Sequence, residues 1–321
     1  MGELKLKVLR TEALTAHIRT LELAAEDGGK LPGFSAGAHI RVTLPDGTER
    51  HYSLVNIFPD ADATADPTVY RLGIRLEEDG KGGSRYMHGL GAGDVVDASL
   101  PRNDFALIDT DAPALLIAGG IGVTPLISMA SELKAKGRPF GFHYAGRSRG
   151  LLAFVEELAA IDANALTLHC DDEPETCIDL KSLIGKAPAD GHVYVCGPRG
   201  MIEAVREIAH ARGLAKDHVH FELFDAPQTE TGDKAFEVEI SSTGQVFTVP
   251  PGKSIIEVLE AEGVDLIYDC QRGDCGICQT TVLEGVPDHR DVILTDDERA
   301  ANDVMQICVS RAKSARLVLD L

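Results

Sequence analysis

The stretch that decides the fold of the C-terminal third of the chain is residues 270–278, which read Cys270-Gln271-Arg272-Gly273-Asp274-Cys275-Gly276-Ile277-Cys278. This C-x4-C-x2-C spacing is that of a plant-type [2Fe–2S] loop, whose fourth cysteine comes from elsewhere in the fold. Cys308 lies thirty residues beyond Cys278 in an apolar segment and is the predicted fourth ligand. The two glycines stand where the backbone is expected to approach sulfide, with N–H groups pointing at the sulfurs.

A zinc site made by four cysteines is the competing interpretation of this loop. Such sites usually contain two C-x2-C pairs, whereas this stretch contains one, Cys275 to Cys278. The spacing therefore favours the cluster. Of the cysteines outside the loop, Cys170 and Cys177 are predicted to be a small buried side chain or an incidental surface thiol.

The rest of the chain divides into stretches that differ in the periodicity of their apolar residues. Residues 225–233 have no apolar periodicity and indicate a linker, which is followed by two strands and a helix before the cysteines. Between residues 113 and 212, apolar strands alternate with helical stretches, which is typical of a doubly wound parallel sheet covered on both faces. From residue 1 to about 105, short alternating or β-branched runs separated by turns predict an antiparallel barrel or sandwich.

Two turns in the middle stretch are typical of dinucleotide binding. Residues 119–125, Gly-Gly-Ile-Gly-Val-Thr-Pro, follow a buried strand and open a helix. Thr124 is expected to cap that helix and Pro125 to take its first position, while the glycines admit a diphosphate to the positive helix end. The motif is not G-x-G-x-x-G, since Pro125 takes the place of the third glycine. A second strand ends in Cys196-Gly197-Pro198, and both turns are expected at the carboxyl edge of the sheet.

Two features of the N-terminal stretch are candidate ligand contacts. The run Gly82-Gly83-Ser84 is interpreted as an anion nest whose N–H groups and hydroxyl face a phosphate. Arg50 and Tyr52 share a face of one predicted strand, so one ligand can meet both a charge and a flat ring. An exposed Gly-Gly-Ser turn and an ordinary edge strand are equally compatible with these runs.

Charge and hydropathy exclude several classes of protein. The 321 residues include 31 Lys and Arg against 51 Asp and Glu, a net charge of −20, which disfavours nucleic acid and anionic lipid as partners. No apolar run reaches the roughly 18 residues of a membrane span, and no signal segment follows Met1. A cytoplasmic location with reduced thiols and no membrane contact is therefore expected.

Together these motifs resemble the phthalate dioxygenase reductase family of the ferredoxin–NADP reductase superfamily. The resemblance covers nearly the whole chain and rests, in order, on Arg50-x-Tyr52-Ser53-Leu54, Gly82-Gly83-Ser84, Pro101-Arg102-Asn103, residues 119–125, Cys196-Gly197-Pro198, Val219-His220-Phe221-Glu222-x-Phe224, the four cysteines, and residues 308–314. It implies an FMN-binding β-barrel domain at 1–105, an NAD-binding α/β domain at 106–225, a linker at 226–233 and a plant-type [2Fe–2S] ferredoxin domain of the α+β, β-grasp type at 234–321.

The resemblance also implies roles for individual residues. The implied FMN contacts are Arg50, His51, Tyr52, Ser53, Gly73, Ile74, Arg75, Gly82, Gly83 and Ser84. The implied NADH contacts are Gly119, Gly120, Ile121, Gly122, Thr124, Pro125, Arg147, Ser148, Cys196, Gly197 and Pro198. At the site of hydride transfer it implies Ser53, Thr124, Cys196 and Phe224, the last stacking on the flavin. Cys270 and Cys275 would bind the outer iron, with Cys278 and Cys308 on the inner one.

The segment after the strand Phe142-His143-Tyr144 departs from the family pattern. Relatives that prefer NADH often carry an acidic residue there, whereas this chain has Gly146-Arg147-Ser148-Arg149. An Asp or Glu would accept ribose hydroxyls and repel a 2′-phosphate, and arginines attract one. NADH is nonetheless the predicted coenzyme.

The implied function is the reductase component of a Rieske-type aromatic oxygenase or demethylase, passing electrons from NADH through FMN and the cluster. The oxygenase, with its Rieske and non-haem iron, is expected on another polypeptide, because this chain lacks the Cys/His pairs of a Rieske site. A monomer is expected. A cytochrome P450 is the alternative acceptor. A redox sensor without turnover is disfavoured by the intact nicotinamide motifs. Hydride transfer needs no acid or base, so Ser53, Thr124 and Cys196 are assigned positioning roles.

Overall fold

The computed structural model describes residues 3–58, 60, 64–78, 80, 82–224 and 232–321. These residues form two compact units, Met1–Glu222 and Leu223–Leu321. The first unit contains an antiparallel sheet and a parallel sheet, and the second contains a mixed sheet. The predicted linker at 226–233 lies outside the described residues except for Gly232 and Asp233.

An antiparallel sheet with the strand order β4-β3-β6-β1-β2-β5 forms the N-terminal part of the first unit. Its elements are β1 (Leu4–Ala13), β2 (Ile18–Ala25), β3 (His39–Thr43), β4 (Glu49–Ser53), β5 (Tyr70–Arg75), α1 (Gly83–Gly89) and β6 (Val95–Ala98). A bridge between Leu54 and Leu72 joins the two ends of this order, so the sheet closes into the predicted barrel. Leu6, Leu21 and Leu72 are fully buried inside it.

Two strands of the barrel were not among the predicted ones. β1 and β2 pair with each other from Leu6 to Ala13, across a bulge between Val8 and Arg10. In β1 the alternation of charge with Leu and Val places Leu6 and Val8 in the core and the charged residues outside. This period of two is the ordinary signature of a half-buried strand.

A parallel sheet with the order β11-β10-β7-β8-β9 forms the second part of the first unit. Its elements are β7 (Ala114–Gly119), α2 (Val123–Ala135), β8 (Phe140–Gly146), α3 (Val155–Asp162), β9 (Leu166–Cys170), α4 (Leu180–Lys186), β10 (His192–Cys196), α5 (Arg199–Arg212) and β11 (Val219–Glu222). The chain builds outward from β7 to β9 and then resumes on the other side at β10. The topological switch point, where open α/β sheets bind ligands, therefore lies between β7 and β10.

Helix α2 begins differently from the prediction. A 3-10 turn at Gly120–Gly122 runs directly into the helix, whose N-cap is Gly122. Thr124 is consequently inside the first turn, where its hydroxyl donates to the Ile121 carbonyl at 3.0 Å, so the predicted Thr124 cap is wrong. Pro125 takes the third helical position and not the first, which is tolerated because first-turn N–H groups have no intrahelical partner.

Helix α2 also joins the two sheets of the first unit. The Ser128 hydroxyl donates to the Leu54 carbonyl at 2.7 Å and accepts from the Asn56 N–H at 2.8 Å, and Ser131 donates to the Asn56 carbonyl. Every residue from Val123 to Ser131 is buried. The helix is thus covered on one side by its own sheet and on the other by barrel residues that follow β4.

The second unit contains a mixed sheet and two short helices. Its elements are β12 (Phe236–Ile240), β13 (Val246–Val249), α6 (Ile255–Ala261), β14 (Gln279–Glu284), β15 (Pro287–Asp288), α7 (Asp296–Ala301), β16 (Val304–Gln306), β17 (Arg311–Ala312) and β18 (Arg316–Leu319). The strand order is β13-β12-β18-β14-β16, with β12 parallel to β18. Helix α6 is capped at Ser254 by a capping box with Glu257 and buries Ile255, Ile256 and Leu259. This is the α+β arrangement predicted for the ferredoxin stretch.

A buried ion network fastens the start of the second unit. Arg290 donates through two nitrogens to Asp233, at 3.0 and 2.5 Å, and also contacts Asp288 at 2.7 Å. The side chains of Arg290 and Asp233 are 10% and 6% exposed. Asp233 also faces Arg311 at 3.7 Å. Asp233 thus lies between two largely buried arginines, and Asp288 supplies the second negative charge.

We expect Asp233→Ala to lower the free energy of unfolding of the second unit by roughly 3–5 kcal/mol, because removing one partner leaves buried charge uncompensated. The matched control is Glu237→Ala, which breaks the exposed pair between Glu237 and Arg316 and should cost less than about 1 kcal/mol. Chemical denaturation followed by circular dichroism measures both. Equal losses in the two variants would contradict the assignment.

Candidate functional site

Arg50 and the glycine run come together at one end of the barrel. A Cβ placed on Gly83 would lie 2.9 Å from Arg50 Cγ and 3.0 Å from Arg50 Nε, so only glycine admits the arginine stem at this distance. Gly82 precedes α1 in the left-handed conformation and provides no side-chain cap. The N–H groups of the first turn and the Arg50 guanidinium are thus placed to bind an anion, as an FMN phosphate would require.

Two predicted members of this site are engaged elsewhere. The Ser84 hydroxyl accepts from the Glu77 N–H at 3.0 Å. His51 lies on the face of β4 opposite Arg50 and Tyr52, and its ring stacks on His39 with centroids 4.8 Å apart. The structure therefore does not bring His51 together with Arg50 and Tyr52.

The predicted ring-lining residues are at least partly shielded. Tyr52 is half-buried against the barrel core, and Ser53 is buried. Burial raises the pKa of Tyr52 to about 12, so its hydroxyl stays neutral at physiological pH. Neutral, partly apolar groups suit contact with a flat aromatic ring.

The barrel meets the parallel sheet where β5 approaches α2. A Cβ on Gly73 would lie 2.7 Å from Thr124 Cγ2 and 3.0 Å from Phe154 Cε2. Gly73 therefore allows Thr124, a predicted nicotinamide contact, to lie against a predicted flavin strand. Next to it, the Ile74 carbonyl accepts from His88 Nε2 at 3.0 Å, and Arg75 is exposed.

The two turns of the α/β part lie at the same edge of the sheet, as predicted, and they contact each other directly. A Cβ on Gly122 would lie 2.2 Å from the Cys196 carbonyl oxygen and 2.7 Å from the Gly197 nitrogen, and one on Gly119 would lie 2.5 Å from Pro198 Cδ. Cys196 pairs in register with Ala118 and is buried. Thr124, in the helix that follows β7, and Cys196, at the end of β10, thus both lie at the switch point between these adjacent strands.

Two buried residues at this edge were not among the predicted site residues. Phe154 precedes α3 with a φ of 60° and is 2% exposed, and it packs against Gly73 and Thr124. Glu222 ends β11 in register with Cys196 and is 4% exposed. Phe154 carries no local signal, whereas Glu222 stands within the Val219 to Phe224 motif.

The three cysteines of the loop and Cys308 lie together in the second unit. Cys270, Cys278 and Cys308 are buried and Cys275 is half-buried. The Cys270 sulfur accepts from the thiols of Cys275 and Cys308, which lowers its pKa, while these contacts raise the pKa of the other two. Four thiolates at such distances require a bound cation to ionise together.

The donor set fits an iron–sulfur cluster. Such clusters are held by cysteine thiolates, and here four cysteines supply them, of which Cys270, Cys278 and Cys308 are buried. The Arg272 N–H points at the Cys270 sulfur at 3.3 Å, as predicted for a cluster.

The loop glycines have a conformational role within the protein itself. Gly273 and Gly276 have φ values of +83° and +77°, in the left-handed region that side chains disfavour. A Cβ on Gly273 would lie 2.7 Å from Val309 Cγ2 and 2.9 Å from Asp291 Cα. The glycines are needed for backbone conformation and for packing against the protein.

A hydrogen bond connects the cysteine loop to the residue before Phe224. The Leu223 N–H donates to Asp274 Oδ2 at 2.9 Å, and the same oxygen lies 3.6 Å from Arg272 Nε. Burial raises the pKa of Asp274 to about 7. Phe224 itself is half-buried at the start of the second unit.

Comparison with known proteins agrees with these sites. The domain family described as "2Fe-2S iron-sulfur cluster binding domain" matches residues 238–313, and "Oxidoreductase NAD-binding domain" matches residues 116–207. Tetrachlorobenzoquinone reductase of Sphingobium chlorophenolicum is 41% identical over 100% of this chain and 99% of its own length. Vanillate O-demethylase oxidoreductase of Pseudomonas putida is 43% identical over 95% of each chain. The solved structure of phthalate dioxygenase reductase superposes with a TM-score of 0.74 at 38% identity, over 99% of this chain and 98% of that one.

A flavin-type barrel, an NAD-binding sheet and a [2Fe–2S] ferredoxin unit in one chain define an iron–sulfur flavoprotein reductase that transfers electrons. The chain belongs to the phthalate dioxygenase reductase family. FMN, NAD and a [2Fe–2S] cluster are accordingly its cofactors, and its relatives are reductases of oxygenase systems. In the part of the chain that the structure describes, the helices are too short or too polar to cross a bilayer.

Proposed function

We propose that this chain is the reductase component of a Rieske-type oxygenase system and that it acts as a monomer in the cytoplasm. The observation that carries the proposal is the fusion of flavin, nicotinamide and ferredoxin sites in one chain, shared over its full length with a demethylase oxidoreductase and a dioxygenase reductase. A reducing compartment supports four cysteines kept as cluster ligands. A monomer suits a shuttle that docks transiently.

The bound flavin and cluster supply the chemistry, which is conversion of a two-electron hydride donor into single electrons for the acceptor. The protein positions these groups. Arg50 and the turn at Gly82–Gly83 would hold the flavin phosphate, while Tyr52 and Ser53 line its ring. Thr124 and Cys196 would flank the nicotinamide, and Phe224 would cover the flavin face that the nicotinamide shares.

The ferredoxin unit carries a surface suited to a protein acceptor. Ile267, three residues before the cysteine loop, is 82% exposed, and Ile277, within the loop, is 48% exposed. Residues 234–321 contain 8 Lys and Arg against 16 Asp and Glu, a net charge of −8. An apolar centre within an acidic unit matches an acceptor that presents apolar residues inside a basic patch.

Anaerobic mixing of the reductase with NADH and a purified Rieske oxygenase tests the proposal. NADH should bleach the flavin and iron–sulfur absorption together, and the oxygenase should then reoxidise the reductase. The rate at which the oxygenase is reduced should fall as the salt concentration rises from about 10 mM to about 150 mM, because the Debye length shrinks from roughly 30 Å to roughly 8 Å.

Ferricyanide, a small trianion that does not require the docking surface, is the control, because repulsion by the acidic chain should make its reduction rate rise and not fall with salt. A rate with the oxygenase that does not change with salt would contradict the docking surface. Failure to reduce any Rieske oxygenase, with rapid reduction of a P450 or of a benzoquinone, would contradict the proposed acceptor. The quinone belongs in this comparison because a full-length relative is a tetrachlorobenzoquinone reductase.

A further inference from the structure

The coenzyme edge of the parallel sheet brings a basic segment and an acidic segment side by side. Residues 147–149 follow β8, and residues 171–175 follow β9, its neighbour in the sheet. The Asp171 N–H donates to the Gly146 carbonyl at 3.0 Å and the Asp172 N–H to the Arg147 carbonyl at 3.2 Å. These bonds extend the β8–β9 pairing beyond the strands, so the acidic segment runs along the basic one.

The guanidinium of Arg149 is held in this arrangement by Glu173. Arg149 Nε donates to Glu173 Oε1 at 3.0 Å, and Nη2 donates to Oε2 at 2.6 Å. This is the parallel two-bond geometry by which arginine also binds a phosphate. The pairing lowers the pKa of the Glu173 carboxyl and raises that of Arg149, so both groups remain charged.

The location of this pair relates it to coenzyme choice. In sheets of this type, the segment after the strand next to the diphosphate-binding loop meets the adenosine ribose, where an acidic residue favours NAD and an arginine accommodates a 2′-phosphate. Here Arg147 and Arg149 lie in that segment. Asp171, Asp172 and Glu173 lie in the segment that follows the next strand, β9. Two positive charges thus face three negative ones.

We propose that Glu173 is a specificity-determining residue, which makes the chain select NADH by keeping Arg149 in an ion pair and so unavailable to the 2′-phosphate of NADPH. The proposal rests on the proposed nicotinamide site. Glu173 acts through Arg149 and is a positioning residue. Glu173, which follows β9, supplies the negative charge that is missing directly after β8. Arg147 is also exposed, and the double variant at Glu173 and Arg149 separates its charge from that of Arg149.

Binding of 2′,5′-ADP and 5′-AMP to the full-length protein tests this directly, because the two probes differ only in the 2′-phosphate. Glu173→Gln should tighten 2′,5′-ADP by roughly 2- to 5-fold, the factor that an exposed ion pair contributes, and leave 5′-AMP unchanged. In steady-state kinetics the KM for NADPH should fall while kcat with NADH stays constant. Glu173→Asp, which keeps the charge, should retain the wild-type preference.

Two controls separate the ion pair from a general change of charge. Glu175→Gln removes the same charge two residues away, at an exposed position that none of the hydrogen bonds described for Arg149 reaches, and should leave 2′,5′-ADP binding unchanged. Adding Arg149→Gln to Glu173→Gln should remove the gain. The proposal is overturned if Glu173→Gln gives no gain, if Glu175→Gln gives an equal one, or if the double variant keeps it.

The outcome is distinguishable from a failure of the proposed function. Wild-type protein that oxidises neither NADH nor NADPH would contradict the reductase assignment, and neither probe would then bind. Wild-type protein that turns over NADH, binds 5′-AMP and prefers 2′,5′-ADP would contradict only the role of Glu173.

Discussion

Cys275→Ser is expected to abolish NADH-driven reduction of cytochrome c while NADH continues to bleach the flavin and to drive ferricyanide reduction. Cys275 is the half-buried member of the four ligands, and a hydroxyl is a poor substitute for a thiolate on iron. The loss should exceed the roughly 10- to 100-fold that removal of an outer-shell partner costs at a metal site. Stopped-flow absorbance with each acceptor measures both branches.

The matched control is Cys177→Ser, which replaces an exposed thiol outside the cluster loop. The Cys177 sulfur faces only backbone carbonyls in the described structure, with the Cys170 oxygen at 3.7 Å. Its variant should reduce cytochrome c at the wild-type rate. Intact cytochrome c reduction by Cys275→Ser would show that electrons bypass the cluster.

Gly122→Ala should disable the nicotinamide site. The added Cβ would lie 2.2 Å from the Cys196 carbonyl oxygen, and neither atom can move without shifting a strand end. Separating the two turns displaces Thr124 from Cys196, and a misplacement of about 1 Å can lower turnover roughly 100-fold. Overpacking of this kind also costs about 1–3 kcal/mol of stability.

NADH-dependent ferricyanide reduction and thermal unfolding report the two effects. Gly185→Ala is the control, because a Cβ at that position within α4 meets no atom within 4 Å and a helical alanine is slightly favourable. Dithionite should still reduce the cluster of Gly122→Ala fully, since the second unit is unchanged. Wild-type turnover by Gly122→Ala would disprove the tight contact between the turns.

The parts of the site that were predictable are those encoded over a few residues. A plant-type cluster loop is defined by the spacing of its cysteines. The spacing of Cys270, Cys275 and Cys278 therefore predicts the cluster site from the sequence. The placement of both turns at one edge followed from the general rule that ligand-binding turns lie at the carboxyl ends of parallel strands, whereas the direct contact between Gly122 and Cys196 was not predicted. The start of α2 was not predictable either, because a 3-10 turn that continues into a helix leaves no mark in composition, and the predicted Thr124 cap was wrong for that reason.

Features formed by distant segments could not be predicted in the same way. Glu173 is 24 residues from Arg149, and only the pairing of β8 with β9 brings them together. His51 was counted as a flavin contact from its place on the strand, yet β-strand alternation turns it towards His39. The pairing of β1 with β2 was missed because an alternation of charged and apolar residues at an N-terminus also occurs in chains without a strand there.

The hydrogen bond from Leu223 to Asp274 and the ion pairs from Asp233 to Arg290 have a joint mechanical consequence. Leu223 and Asp233 are both held to other residues of the ferredoxin unit, so an insertion between them lengthens the chain within that unit and not between the two units. Inserting residues between Leu223 and Asp233 would cost about 0.6 kcal/mol for each doubling of the length of chain between these two anchored residues. A longer connection between the two units requires an insertion before Leu223.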